Sequence, residues 1–293
     1  MVTAASASTV VLVREHNREL QVYLLKRNTK SGFFPGSYVF PGGALNSGDQ
    51  DPDFWQPHID LSPEELQKTF GPGQDITEII PYGVAAIRET FEEAGVFLAR
   101  KRDEETYVSG RTGKQPSEGK QDEGWLLRKV SEEGWKLTFS NLFPWSRWIT
   151  PESMPKRFDT RFFVSLMPEG QECVPDDHEA VHGLWVSPEK GLQGNIFGQI
   201  PLSPPTLVTL HELLKFGTLK SLARAIQSRP WGHPRMPIQI IADKEIVIVQ
   251  PWDPLYGKPI KIDPEGLSRK VVPAGEPFSR LWLDRGIWRP VRA

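Results

Sequence analysis

A single cysteine, Cys173, stands among 293 residues, so no internal disulfide can form. With no evident partner to activate it, Cys173 reads as a small buried hydrophobe rather than a nucleophile. Charge of one sign is also lacking. The chain holds 35 basic and 37 acidic residues and a net charge of −2, which gives no basis for electrostatic capture of nucleic acid or of an anionic membrane. No apolar run approaches the roughly 20 residues of a membrane-spanning helix. Met1 to Ser8 lacks the basic start and apolar stretch of a secretory signal, and Arg289 to Ala293 is not a Ser-Lys-Leu-type peroxisomal address. These absences together predict a soluble cytoplasmic protein. No internal repeat is visible.

Carboxylates are what the chain has in an unusual place. Glu89, Glu92 and Glu93 lie in the stretch Arg88-Glu89-Thr90-Phe91-Glu92-Glu93-Ala94-Gly95-Val96. A helix turns by about 100° per residue, which puts Glu93 about 40° and Glu92 about 60° from Glu89 on the helical wheel. All three share one face, while Val84, Ile87, Phe91 and Ala94 fall on the opposite face and predict a buried back. Three carboxylates this close repel one another unless water or a cation separates them. A solvated face is one outcome. A hard divalent cation such as Mg²⁺ or Mn²⁺, which takes oxygen ligands, is the other.

The segment upstream favours the cation. Phe40-Pro41-Gly42-Gly43-Ala44-Leu45-Asn46-Ser47-Gly48-Asp49 carries a diglycine suited to close backbone approach, and Asp49 supplies a fourth carboxylate. The two segments together resemble the Nudix box, Gly-x5-Glu-x7-Arg-Glu-U-x-Glu-Glu-x-Gly-U, where U is apolar. Gly43 matches the first glycine, and Arg88, Glu89, Glu92, Glu93, Gly95 and Val96 match the second half. Asp49 replaces the usual glutamate, and Thr90 takes an apolar position. Between Asp49 and Arg88 lie 38 residues where the pattern has seven, an insertion of about 31. Such a split box is similar to that of the coenzyme A diphosphatase branch, the mammalian peroxisomal and mitochondrial type. The segments around Phe33 to Gly43, Pro144 to Pro151 and Arg157 to Phe163 resemble the same branch.

The resemblance implies a metal-dependent hydrolase that cleaves the diphosphate of coenzyme A or acyl-coenzyme A. Its products would be 3′,5′-ADP and a 4′-phosphopantetheine. It also implies the site. Glu89, Glu92 and Glu93 would hold Mg²⁺ or Mn²⁺, with Gly43 supplying a backbone ligand or room for one. Arg88 would hold a box carboxylate in place, with Asp49 orienting Arg88 from behind. Glu179, in the acidic turn Asp176-Asp177-His178-Glu179, is either a further ligand or the general base, or part of a solvated turn. Apart from the resemblance, Arg27, with Lys26 and Lys30 beside it, precedes the box and either meets a 3′-phosphate or, as a charged strand end, faces water. Phe40, Gly42 and Gly43 match the end of a coenzyme A-directed signature, Gly-x3-Phe-Pro-Gly-Gly, although Gly32 stands where that signature has arginine. Trp145, Trp148 and Phe158 either stack an adenine or belong to the core. Two other readings stay open: hydrolysis of another nucleoside diphosphate derivative such as NADH or ADP-ribose, and a non-catalytic Nudix ligand-binding or regulatory module.

Local patterns predict an α/β chain. Ser8 to Arg14 and Leu20 to Arg27 read as a hairpin, and Tyr38 to Phe40 as a short strand. Ser62 caps a helix over Pro63 to Phe70 inside the insertion, about residues 50–80. The carboxylate helix is expected to start at Pro81 and to stop at Gly95. Residues 101–121 read as an exposed loop and Asp122 to Glu133 as a helix. Trp135 to Phe139, Phe158 to Met167 and Ala180 to Val186 read as strands. Thr206 to Ser228 reads as one long helix, and Ile238 to Val249 as apolar strand with a polar turn at Asp243-Lys244. The resemblance makes this a Nudix α/β/α sandwich with a mixed sheet over residues 1–195. Residues 196–293 are then a C-terminal helix and irregular extension that either covers the substrate site or forms a homodimer interface.

Overall fold

The computed structural model describes residues 2–71, 75–102, 104, 106–110, 122–176, 180–227, 229–242, 245–258 and 269–293. The elements run β1 Ala5–His16, β2 Glu19–Arg27, β3 Tyr38–Val39, β4 Gly42–Ala44, α1 Pro52–Trp55, α2 Pro63–Phe70 and α3 Ile76–Ala94. After these come β5 Ala99–Lys101, α4 Trp125–Glu133, β6 Trp135–Leu137, β7 Phe143–Ile149, β8 Phe158–Leu166 and β9 Ala180–Val186. The remainder is α5 Pro188–Ile196, α6 Pro204–Leu213, α7 Leu219–Ile226 and strands β10 Ile238–Ala242, β11 Glu245–Val249, β12 Arg280–Asp284 and β13 Ile287–Val291. Among the described residues no helix is long and apolar enough to cross a membrane.

The predicted hairpin is present. Asn17 and Arg18, both at positive φ (51° and 63°), make the tight turn that matches strand twist. The main sheet runs β3-β2-β1-β8-β7, with β4 also on β1 and β9 also on β2. The β1–β8 pair is parallel and the other pairs are antiparallel, so the sheet is mixed, as expected. Side chains alternate across β1. Val10 and Leu12 join a core with Ile80, Val84 and Ile87 of α3, whereas Val11 and Val13 join a second core with Leu207 and Leu210 of α6. Helices therefore cover both faces.

Several predicted boundaries are corrected. α3 starts five residues before Pro81, because Asp75 caps it by accepting from the Thr77 N–H at 2.9 Å. Pro81 lies inside the helix, where it removes one backbone donor without ending it. Gly95 stops the helix in the left-handed conformation, φ 71°, as expected. The single long helix from Thr206 is two helices. Its break falls after Leu214, and Thr218 begins the second helix with a capping box to Ser221. The tail is more regular than expected: β10 to β13 form a four-stranded antiparallel sheet whose Ile248, Leu281 and Trp288 enter the same core as Val11 and Trp145. The Asp243-Lys244 turn, Ser228 and most of the 101–121 loop lie outside the described residues.

Candidate active site

The box glycines sit where two chain segments need closeness. β4 pairs with β1 through Ser8↔Gly43 and Thr9↔Gly42. A Cβ on Gly43 would lie 2.5 Å from Glu89 Oε1, and one on Gly42 would run into the Ser8 carbonyl. Only glycine leaves this space, so β4 can lie directly against the C-terminal turns of α3. The Gly42 N–H also donates to Glu93 Oε2 at 2.8 Å, which ties strand and helix together.

Arg88 is the hub of the cluster. It is 4% exposed, and Asp49 beneath it is 1% exposed. Arg88 Nε and Nη2 donate to Asp49 Oδ1 and Oδ2 at 3.0 and 2.9 Å, a two-pronged pair. Nη2 also reaches the Ala44 carbonyl at 2.9 Å, and Nη1 reaches Glu89 Oε1 at 2.7 Å and Glu92 Oε2 at 3.0 Å. Burial opposes the charge, but the Asp49 hydrogen bond and the charges of Glu89, Asp49 and Glu92 outweigh it, so the Arg88 pKa is raised. The Asp49 turn is fixed in turn by its own capping box. Asp49 Oδ2 accepts from the Asn46 N–H at 2.8 Å, and the Asn46 side chain accepts from the Asp49 N–H at 3.2 Å.

A contact without a sequence signal completes the cluster. Trp125 Nε1, from α4, donates to Glu92 Oε1 at 2.6 Å. Its ring packs on Phe91 and Phe97 at 5.2 and 6.2 Å between centroids. The α4 start is held by Ser47 Oγ, which donates to Glu123 Oε2 at 2.8 Å. A helix over this stretch was expected, but nothing in its pattern pointed at Glu92.

Gly42, Gly43, Arg88, Glu89, Glu92 and Glu93 line a cavity of about 1230 Å³ that also takes in Arg27, Phe40, Trp148, Phe158 and Asp176. Arg27 Nε donates to Ser31 Oγ at 3.0 Å. Phe40 packs edge-on to Phe162 and is otherwise core. Trp145 is fully buried and away from the cavity, which decides its alternative in favour of the core. Lys26 and Lys30 do not line the cavity either. Asp176 reaches it because its N–H bonds the Glu93 carbonyl at 3.1 Å. Asp177, His178 and Glu179 lie outside the described residues. Cys173 is half-buried against the first core, and burial pushes its thiol pKa up to about 12, partly offset by Arg14.

The donor set is chemically suited to a hard divalent cation. Three carboxylates face one cavity wall, and the missing Cβ of Gly43 leaves room beside Glu89. Among the described residues no three His, Cys, Asp or Glu side chains already stand together as a metal cage. Two of the three glutamates are instead drawn towards Arg88.

Comparison with known proteins agrees with the split motif. The NUDT19 Nudix domain pattern matches residues 1–213. The human protein named acyl-coenzyme A diphosphatase NUDT19 is 30% identical over 89% of this chain and 80% of its own length. The Xenopus laevis protein of the same name is 28% identical over 92% of this chain and 79% of its own. Among solved structures, a NUDIX hydrolase from Alicyclobacillus acidocaldarius superposes with a TM-score of 0.58 at 26% identity, covering 78% of this chain and 100% of that one. Split box, mixed sandwich and relatives agree: the chain belongs to the Nudix hydrolases, in the group of the NUDT19 Nudix domain.

Proposed function

We propose that this chain hydrolyses the diphosphate of coenzyme A or acyl-coenzyme A, releasing 3′,5′-ADP and the corresponding 4′-phosphopantetheine. The observation that carries this reading is the group of Glu89 and Glu92, organised by Arg88, and Glu93, held by the Gly42 N–H, on the wall of a cavity large enough for such a substrate. The names of the curated relatives support the same substrate class.

A diphosphate repels an attacking oxygen by its own charge. A divalent cation, Mg²⁺ or Mn²⁺, supplies the charge withdrawal that lowers this barrier. Glu89, Glu92 and Glu93 would hold it, with Gly43 leaving the space. Arg88 keeps the glutamates in register and is itself locked by Asp49, so its role is positional rather than that of a phosphate clamp. A carboxylate must take the proton from the attacking water. We assign that role to Glu179 or to one of the three box glutamates. Asp176, the first residue of that acidic turn, lines the same cavity.

Incubating the protein with coenzyme A and Mg²⁺ or Mn²⁺ should release 3′,5′-ADP, and Glu93→Gln should lower the rate by at least about a thousandfold. A panel that includes NADH and ADP-ribose, ranked by kcat/KM, decides the substrate. Faster turnover of either would move the assignment away from coenzyme A. Binding of coenzyme A with no turnover in any divalent cation would favour the non-catalytic module instead. We also propose that residues 1–195 are the catalytic unit and that residues 196–293 are an extension dependent on it.

A further inference from the structure

The cavity lining changes character across the sheet. Thr9 of β1 lies opposite Gly42 on one side and Phe162 of β8 on the other, while Thr160 of β8 lies opposite Trp148 of β7. Three strand spacings therefore separate the box glycines from the Trp148 row, roughly 14 Å. Beyond β7 the tail adds one more strand-like segment. The Arg235 N–H donates to the Arg147 carbonyl at 2.8 Å, and the Ile149 N–H donates to the Arg235 carbonyl at 2.9 Å. This brings buried Pro237 to the far end of the cavity, which Ile149, Met154 and Ile248 also line. The residues named there carry no charge.

Two cations mark the neighbouring part of the lining, where Lys156 follows Met154 by two residues. Arg27 and Lys156 flank the edge-to-face pair of Phe33 and Phe158, whose centroids are 5.3 Å apart, and Lys156 Nζ lies 5.3 Å from the Phe158 ring centre. The lining thus has an acidic part, a cationic aromatic part and an apolar part. A phosphorylated nucleoside needs the cationic aromatic part. Ile149, Met154, Pro237 and Ile248 themselves offer a phosphate no charged or hydrogen-bonding side chain, so an apolar group suits their end better.

We propose that the apolar end holds the pantetheine arm and acyl chain of an acyl-coenzyme A, and that the tail residues Pro237 and Ile248 close this pocket and set the chain length accepted. The proposal rests on the coenzyme A reading above and adds the part of the ligand that the tail recognises. Each methylene buried there strengthens binding by up to about fourfold.

Calorimetric titration of the Glu93→Gln protein with coenzyme A and its butyryl, octanoyl and dodecanoyl thioesters tests the pocket without turnover. The dissociation constant should tighten by at least about tenfold from coenzyme A to the dodecanoyl thioester. Met154→Asp and Ile149→Asp, each in the same background, should reduce that ratio to about twofold or less. Affinity independent of chain length, or a ratio retained in both variants, overturns the proposal. Because binding is read directly, a failure of the unmodified chain to cleave the diphosphate of any of these ligands would count against the activity alone.

Discussion

Arg88 and Asp49 show how much one ion pair can decide. Both are almost fully buried, and each prong of the guanidinium has an acceptor. Removing one member of a buried pair leaves an uncompensated charge and costs about 3–5 kcal/mol. Glu89 and Glu92 still face Arg88, so Asp49→Ala should lower the unfolding free energy by up to that amount in urea titrations. A loss below about 1 kcal/mol would show that water replaces the carboxylate. Trp125 makes a different prediction. Trp125→Phe keeps the stacking on Phe91 and Phe97 but loses the N–H that orients Glu92. Loss of such an outer contact typically weakens metal affinity about 10–100-fold. Mn²⁺ titration followed by electron paramagnetic resonance should register it, with the melting temperature shifted by only a few degrees. In a Glu92→Gln background the same change should add little, because the partner is already altered. Cys173, with its thiol pKa pushed up by burial, should react with a disulfide reagent at pH 8 far more slowly in the native than in the unfolded chain.

At the scale of elements, the tight joint is β4 against α3. Gly43→Ala should displace Glu89 and abolish turnover, because its methyl has no free volume beside the carboxylate. Circular dichroism unchanged beside lost activity would place the effect at the site. Much of this joint was legible in the sequence. The glutamates at helical spacing, the apolar back formed by Val84, Ile87 and Ala94, and the diglycine all announce their partners, because one-dimensional periodicity encodes a helix face. Ser62 and Gly95 likewise marked real ends. Two signals were outranked. Pro81 offered a helix start, yet Asp75 capped the chain earlier and the apolar face of Ile79 and Ile80 held the extra turns. Leucine spacing ran on past Leu214, yet the Thr218–Ser221 box opened a new helix. The Trp125–Glu92 bond and the β12–β13 strands were not legible. A tertiary hydrogen bond leaves no local pattern, and proline-rich flanks hid the short tail strands.

For the whole molecule, the tail and the central sheet share one core. Ile248, Leu281 and Trp288 pack in the same cluster as Val11, Trp145 and Leu207. Truncation before residue 229 should expose that apolar face and give an insoluble or non-cooperatively unfolding product. The full chain should unfold in a single transition. The tail sheet has its own electrostatic anchor. Asp253 accepts from Arg280 Nε at 2.8 Å and from Ser279 Oγ at 2.7 Å. Burial raises its pKa, but these hydrogen bonds outweigh burial and the net shift is downward. A depressed folded-state value means that the stabilisation is present above the ordinary carboxylate pKa of about 4 and is lost as pH falls below it. The stability gap between the native protein and Asp253→Asn should thus be wide at pH 7 and close towards pH 3.

The split in the box has a consequence for how such a chain can change. Stretching the tether between Asp49 and Arg88 from seven residues to 38 adds only about 1.5 kcal/mol of closure entropy. The salt-bridged clasp they form exceeds that penalty. The seam is therefore a natural graft point, where a lineage can acquire fresh exterior while its chemistry stays in place.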